Sequence, residues 1–161
     1  MSVLQESAAT GADARADEHA FVTLLLGEQL CGVPVLGVRD VLADQKIARI
    51  PLAPPEVAGN LNLRGRIGTA IDLRARLRLA PRAPGASFVS VVTEQGSELY
   101  ALLVDQVREV LTLKRSAMEP NPPTLPRIWA DHSVGIYRLD GRLMVVLDME
   151  RLLQLDLAEA A

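Results

Sequence analysis

Two histidines, His19 and His132, and one cysteine, Cys31, carry most of the reactive chemistry in this chain. A structural zinc site needs four clustered nitrogen or sulfur ligands, and neither H-E-x-x-H nor C-x-x-C occurs. Asp131-His132-Ser133 holds the three residue types of a serine hydrolase. Neighbouring side chains diverge, however, and no G-x-S-x-G elbow surrounds the serine, so the triplet reads as a loop. Cys31, between Leu30 and Gly32, reads as a small buried apolar filler. Neither a G-x-x-x-x-G-K-[ST] nor a G-x-G-x-x-G nucleotide loop is present. Gly65-Arg66-Ile67-Gly68 has the outline of an RNA backbone clamp. That clamp needs a helix–loop–helix setting, whereas the residues here alternate like a hairpin. The residues therefore supply no catalytic, cofactor-binding or metal-ligating set.

Binding chemistry is better represented. Six arginines (64, 66, 74, 76, 78 and 82) face one acid, Asp72, across residues 64–82. Such a segment is either a solvated basic face or a binding surface, since the guanidinium fork matches carboxylates and is enriched at interface hot spots. Arg64 stands apart, beside a turn between two apolar strands, where a long charged side chain can be held.

The elements that position these residues are short. The chain has 161 residues, 49% of them hydrophobic, enough for one domain or two small halves sharing a core. Aromatic residues make up only 3%, and the net charge of −3 argues against a polyanionic partner or an acidic membrane surface. One cysteine suits a reducing compartment, and no apolar run reaches the ~18 residues of a membrane span. Residues 1–19 are acidic and lack a signal sequence's basic start, so they read as a solvated leader. The expected localisation is cytoplasmic. Phe21-Val22-Thr23-Leu24-Leu25-Leu26 and Leu30-Cys31-Gly32-Val33 read as strands around Gly27-Glu28, and residues 35–42 as a further strand. Residues 51–55, rich in proline, must be irregular. Asp72 and Asp148 stand at helix N-cap positions ahead of Leu73 and Leu77, and of Met149, Leu152 and Leu153. Residues 80–85 read as a linker.

A repeat organises these elements. Gly59, Leu63, Gly65-Arg66 and Asp72 match Gly135, Leu139, Gly141-Arg142 and Asp148, all 76 positions apart (135 less 59, 148 less 72). Val38-Arg39-Asp40-Val41-Leu42 matches Val107-Arg108-Glu109-Val110-Leu111, 69 positions on (107 less 38). Many short strands with close turn signals predict an all-β protein of two small barrels or sandwiches, with short helices plugging or covering the ends. At one point the copies differ in sign, because Arg64 is matched by Asp140.

Val57-Ala58-Gly59-Asn60-Leu61-Asn62-Leu63-Arg64-Gly65 resembles the V-x-G-x-x-N-L-R-G hallmark of the CheW family of chemotaxis coupling proteins, and Ile71-Asp72-Leu73-Arg74 resembles its I-D-L-R. Gly32-Val33-Pro34-Val35 with residues 38–41, then Leu103-Val104-Asp105-Gln106-Val107, and finally Leu139-Asp140-Gly141-Arg142-Leu143 leading into residues 147–153 extend the likeness over residues 21–155. The resemblance implies two tandem five-stranded β-barrel subdomains, related by internal duplication, on a shared core. Residues 20–157 would form this domain from two interleaved β-barrel subdomains, and 158–161 a frayed tail. It also implies a non-catalytic coupling role without cofactors or metals, linking the cytoplasmic tip of a methyl-accepting chemoreceptor to the regulatory domain of a CheA-type histidine kinase. Other CheW-like domains are further candidate partners. The expected location is the cytoplasm, recruited to membrane-associated receptor arrays, with neither direct membrane insertion nor nucleic-acid binding.

Carried over by position, the resemblance assigns partner binding first to Arg64 and then to Val38, Gly59, Val89 and Val110. Gly59 and Gly65 also read as backbone requirements. Gly68 replaces a larger apolar residue of the family, which predicts a bulge or loose packing in its strand. Trp129 falls in the loop before the last hairpin, as an exposed contact or as a cover. The competing reading is a small β-barrel that binds RNA or another polyanion through residues 64–82.

Overall fold

The computed structural model describes residues 16–43 and 45–154. The expected tail at 158–161, and residues 1–15 of the expected leader, lie outside the described residues; β1 already begins at Glu18.

Glycine turns set the hairpins. β1 (Glu18–Leu26) and β2 (Gln29–Pro34) are joined by Gly27-Glu28, and β6 (Val89–Gln95) and β7 (Glu98–Val104) by Gly96-Ser97. Gly27 and Gly96 take φ of 62° and 63°, the left-handed first position that two-residue hairpin loops favour. β3 (Asp40–Ala43), β4 (Val57–Leu63), β5 (Arg66–Asp72) and helix α1 (Leu73–Arg76) complete the first copy. β8 (Gln106–Lys114), helix α2 (Arg127–Ala130), β9 (Ser133–Leu139), β10 (Arg142–Leu147) and helix α3 (Met149–Leu152) complete the second.

The two copies exchange their hairpins. The first sheet has the order β8-β1-β2-β10-β9 and the second β3-β6-β7-β5-β4. Each sheet thus takes the opening hairpin of one copy and the remaining three strands of the other. The two subdomains are five-stranded and interleaved, as expected. The exchange is sealed by parallel pairing, Val145 beside Cys31 in one sheet and Thr69 beside Tyr100 in the other, the same register under the repeat. Neither sheet closes into a continuous barrel. One bridge spans each gap: Ala48 with Asn60, at 2.7 and 2.8 Å, and Glu119 with Ile136, at 2.8 and 2.9 Å.

One apolar core lies between the sheets, drawing Leu24, Val33, Val145 and Leu147 from the first and Ile71, Val91, Leu102 and Val104 from the second. The short helices contribute Leu73, Leu77 and Leu152, all at 1% exposure or less. The N-caps form as expected, with Asp72 accepting from the Arg74 amide and Asp148 from the Arg151 amide. The helices fill the shared interface between the sheets more than they plug barrel ends.

Three local expectations change. Residues 35–42 are not one strand, because a 3-10 turn at Val35–Gly37 follows Pro34 and only Asp40–Ala43 pairs. Trp129 is buried at 7% exposure within α2 and belongs to the shared core. Gly68 sits in regular register opposite Leu61, and a Cβ there would come within 2.5 Å of Leu63 Cδ1. Close packing, not looseness, accounts for that glycine; the register shift falls at Val57/Gly59 instead.

Candidate partner-binding surface

Arg64 and Gly65 form the two-residue turn between β4 and β5. Both are left-handed, with φ of 54° and 90°. This is the backbone that a tight hairpin prefers, but it strains a residue carrying a Cβ. Asn62 Oδ1 accepts from the Gly65 amide at 2.7 Å and so holds the turn. In the matched turn only Gly141 is left-handed, at 73°. The copies therefore differ in backbone as well as in charge.

The Arg64 side chain is 78% exposed and pairs with Asp40 at 3.0 Å. A pair so exposed contributes at most about 1 kcal/mol, so a partner carboxylate can replace Asp40 at little cost. Beside it, Glu94 receives both Arg39 and Arg66. Arg39, Asp40, Leu63, Arg64 and Arg66 ring a depression of about 240 Å³. The sequence does not mark Asp40 and Glu94 as ion-pair partners, because only the folded sheet brings Arg64 and Arg66 to them, Arg66 across 28 positions.

The other expected contact residues are dispersed. Gly59 is buried on β4, and at φ 148° an added Cβ would collide with the Ala48 carbonyl, so its role is to admit the bridge at Ala48. Val38 follows the 3-10 turn and Val89 opens β6; both are half-buried against the shared core. Val110 lies on β8 of the other sheet and is 58% exposed. The structure does not gather these five into one patch.

The basic segment is largely consumed within the molecule. Arg74 forks onto Asp105 at 2.8 and 2.7 Å. Arg82 adds a bond to Asp105 at 3.1 Å and approaches Asp72 at 3.6 Å. Arg76 caps the end of α3 by donating to the carbonyls of Leu152, Arg151 and Gln154. Among the described residues, Arg78 makes no ion pair. Burial opposes the charge on Asp105, but bonds from Arg74 and the Gly27 amide, the Arg74 charge and Arg82 outweigh it and hold its pKa at about 2. A solvated basic face is thus replaced by an internal ionic cluster.

The candidate reactive groups are engaged in local structure or buried. His132 Nδ1 lies 2.8 Å from the Ile128 carbonyl, while Ser133 Oγ accepts from the Gly135 amide and has Asn121 Oδ1 and the Gly135 carbonyl, each at 2.9 Å, as acceptors for its one proton. Cys31 is fully buried, which raises its pKa. Among the described residues no group of three or more His, Cys, Asp or Glu could hold a metal ion, and no helix is long and apolar enough to cross a membrane.

Comparison with known proteins agrees with this architecture. The CheW-like domain model matches residues 20–157. The chain is 28% identical to the probable chemotaxis protein CheW of Rhizobium etli, over 89% of this chain and 93% of that protein. It is also 28% identical to the chemotaxis protein CheW of Treponema pallidum, covering 84% and 82%. The crystal structure of the scaffolding protein TtCheW from Thermoanaerobacter tengcongensis superposes with a TM-score of 0.77 at 28% identity, over 86% of this chain and 94% of that one. A shared core under two interleaved five-stranded sheets, an N-L-R-G turn at the rim and a match spanning the domain make the conclusion direct: this chain belongs to the CheW-like family of chemotaxis coupling proteins.

Proposed function

We propose that this protein is a non-catalytic cytoplasmic adaptor that holds a chemoreceptor's cytoplasmic tip and a CheA-type histidine kinase together, with Arg64 as the first receptor contact. The observation that carries the reading is the Arg64 turn. A long cation is kept in a strained left-handed backbone, nearly free of the protein surface, and tied only to one half-buried carboxylate. Backbone strain kept at a surface turn fits a site selected for contact and not for stability. A helical hairpin offers apolar ridges with acidic groups at its edge, which suits a shallow basic-rimmed depression. Val38, Gly59, Val89 and Val110 remain in this reading as secondary positions, Gly59 acting through the backbone it permits.

The test is recruitment of a receptor-tip fragment and the kinase regulatory domain by pull-down. Arg64→Ala lowers receptor capture and leaves both kinase capture and the melting temperature near wild type. Capture at the wild-type level by the folded variant removes Arg64 from the interface. The polyanion reading is weakened by the internal pairing of Arg66, Arg74, Arg76 and Arg82. It requires oligonucleotide binding that falls steeply with salt. The adaptor reading predicts no such binding.

A further inference from the structure

The chain crosses between its sheets twice. After β2, residues 35–39 lead into β3; after β7, Asp105 alone leads into β8. The repeat makes these crossings equivalent, since Asp105 falls opposite Leu36 (105 less 36 is 69). They are built differently. At the first, Leu36 is 96% exposed. Just before it, at Pro34, a cleft of about 480 Å³ opens along the first sheet and α3, lined by Val134, Tyr137, Met149 and Glu150, with Gln95 its one residue from the second sheet.

The second crossing is held by a carboxylate. Asp105 Oδ2 accepts from the Gly27 amide, in the β1–β2 turn of the first sheet, at 2.6 Å. The same carboxylate receives Arg74 from α1, directly after β5, and Arg82 from the segment before β6 of the second sheet. The Asp105 amide also donates to Leu25 of β1 at 3.1 Å. One carboxylate therefore takes donors from both sheets. In the other copy, Arg74 is replaced by Glu150 and Asp105 by Leu36, so no such cluster can form.

The apolar core between the sheets is non-directional and does not by itself define an angle. A bidentate guanidinium–carboxylate pair fixes orientation as well as distance. With side-chain exposures of 13–19%, these groups are also poorly screened by salt. We propose that Arg74, Asp105 and Arg82 form a positioning clamp that fixes the angle between the two sheets at this crossing, a device the other crossing lacks. The proposal concerns the geometry of the chain alone and stands or falls separately from the role of Arg64.

Spin labels at Val134→Cys in the first sheet and Glu98→Cys in the second report the angle by pulsed electron paramagnetic resonance. Both positions are exposed, while Cys31 is fully buried and stays unlabelled. Arg74→Lys, which keeps the charge and loses the fork, and Asp105→Asn shift or broaden the distance distribution by roughly 1–2 Å or more, the scale of displacements between packed elements. Val145→Ala, a core truncation in the first sheet, lowers the melting temperature and leaves the distribution in place. The unsubstituted clamp gives the same distribution at pH 7 and pH 4. A wild-type distribution in folded Arg74→Lys, or an equal shift in Val145→Ala, overturns the proposal. Should Asp105→Asn fail to fold, Arg74→Lys decides alone.

Discussion

Residues 59–76 and 135–152 follow the same path through strand, glycine turn, strand, aspartate cap and one helical turn, yet they do different work. In the first copy the turn offers an exposed arginine and the helix sends Arg74 and Arg76 across to the other copy, to Asp105 and to the end of α3. In the second copy the turn carries Asp140, and Glu150 and Leu152 stand where those arginines would be. Leu152 is buried under the carbonyl that Arg76 caps. Duplication preserved the backbone groups that build the sheets; divergence fell on the side chains that face outward or across the interface.

The largest expected effects should be alike in the two copies. Leu73→Ala and Leu152→Ala each remove a fully buried side chain from the one core, and each costs about 2–5 kcal/mol. Urea unfolding followed by probes in either sheet should show one coincident transition for both variants. Separate transitions would mean that the interleaved sheets are independent units.

The glycines sharpen the comparison. Gly59 and Gly135 have φ of 148° and 155°, and an added Cβ would strike the Ala48 carbonyl or come within 2.8 Å of the Glu119 oxygen. Either alanine variant should lose about 1–3 kcal/mol by thermal unfolding, Gly59→Ala more than Gly135→Ala because its collision is the closer. An easily tolerated Gly59→Ala would deny the bridge its structural role.

Acid separates the copies. The folded pKa of Asp105 is about 2, below its unfolded value of 3.8. Its stabilisation, on the order of 2 kcal/mol, is present above the unfolded pKa and lost as pH falls through the folded one. Stability should therefore decline between about pH 4 and pH 2, and Asp105→Asn should remove that part of the decline. An unchanged acid limb in the variant would place the sensitive carboxylate elsewhere.

The smallest effect has the opposite sign. Arg64→Gly relieves a left-handed arginine and should raise stability by up to about 1 kcal/mol, while Asp140→Gly, where the backbone is not left-handed, should not. Arg64→Gly should also lose receptor capture. Gain of stability with retained capture would leave the strain without a purpose.

Much of this was legible in the chain because it is local. Gly27, Gly96 and Gly65 specify two-residue turns, Asp72 and Asp148 specify caps, and the spacing of 76 specifies the repeat, all within a few residues' reach. Trp129 was not legible: one short helical turn decides whether it faces the core or water. The arginines were not legible either, because Arg74 meets Asp105 across 31 positions and Arg76 meets the end of α3 across 75 and more.

The sequence by itself determined an all-β chain, its duplication, its caps and the singular arginine at the N-L-R-G turn. Hydrogen-bonding and steric preferences of neighbouring residues suffice for those. Only the tertiary structure decided that each copy lends its opening hairpin to the other, and that five of the six arginines have internal partners while Arg64, among those five, stays exposed with a replaceable one. The reason is physical: β-pairing and ion pairing are satisfied by whichever complementary edge or charge the packed core brings near, and sequence distance places no limit on that choice.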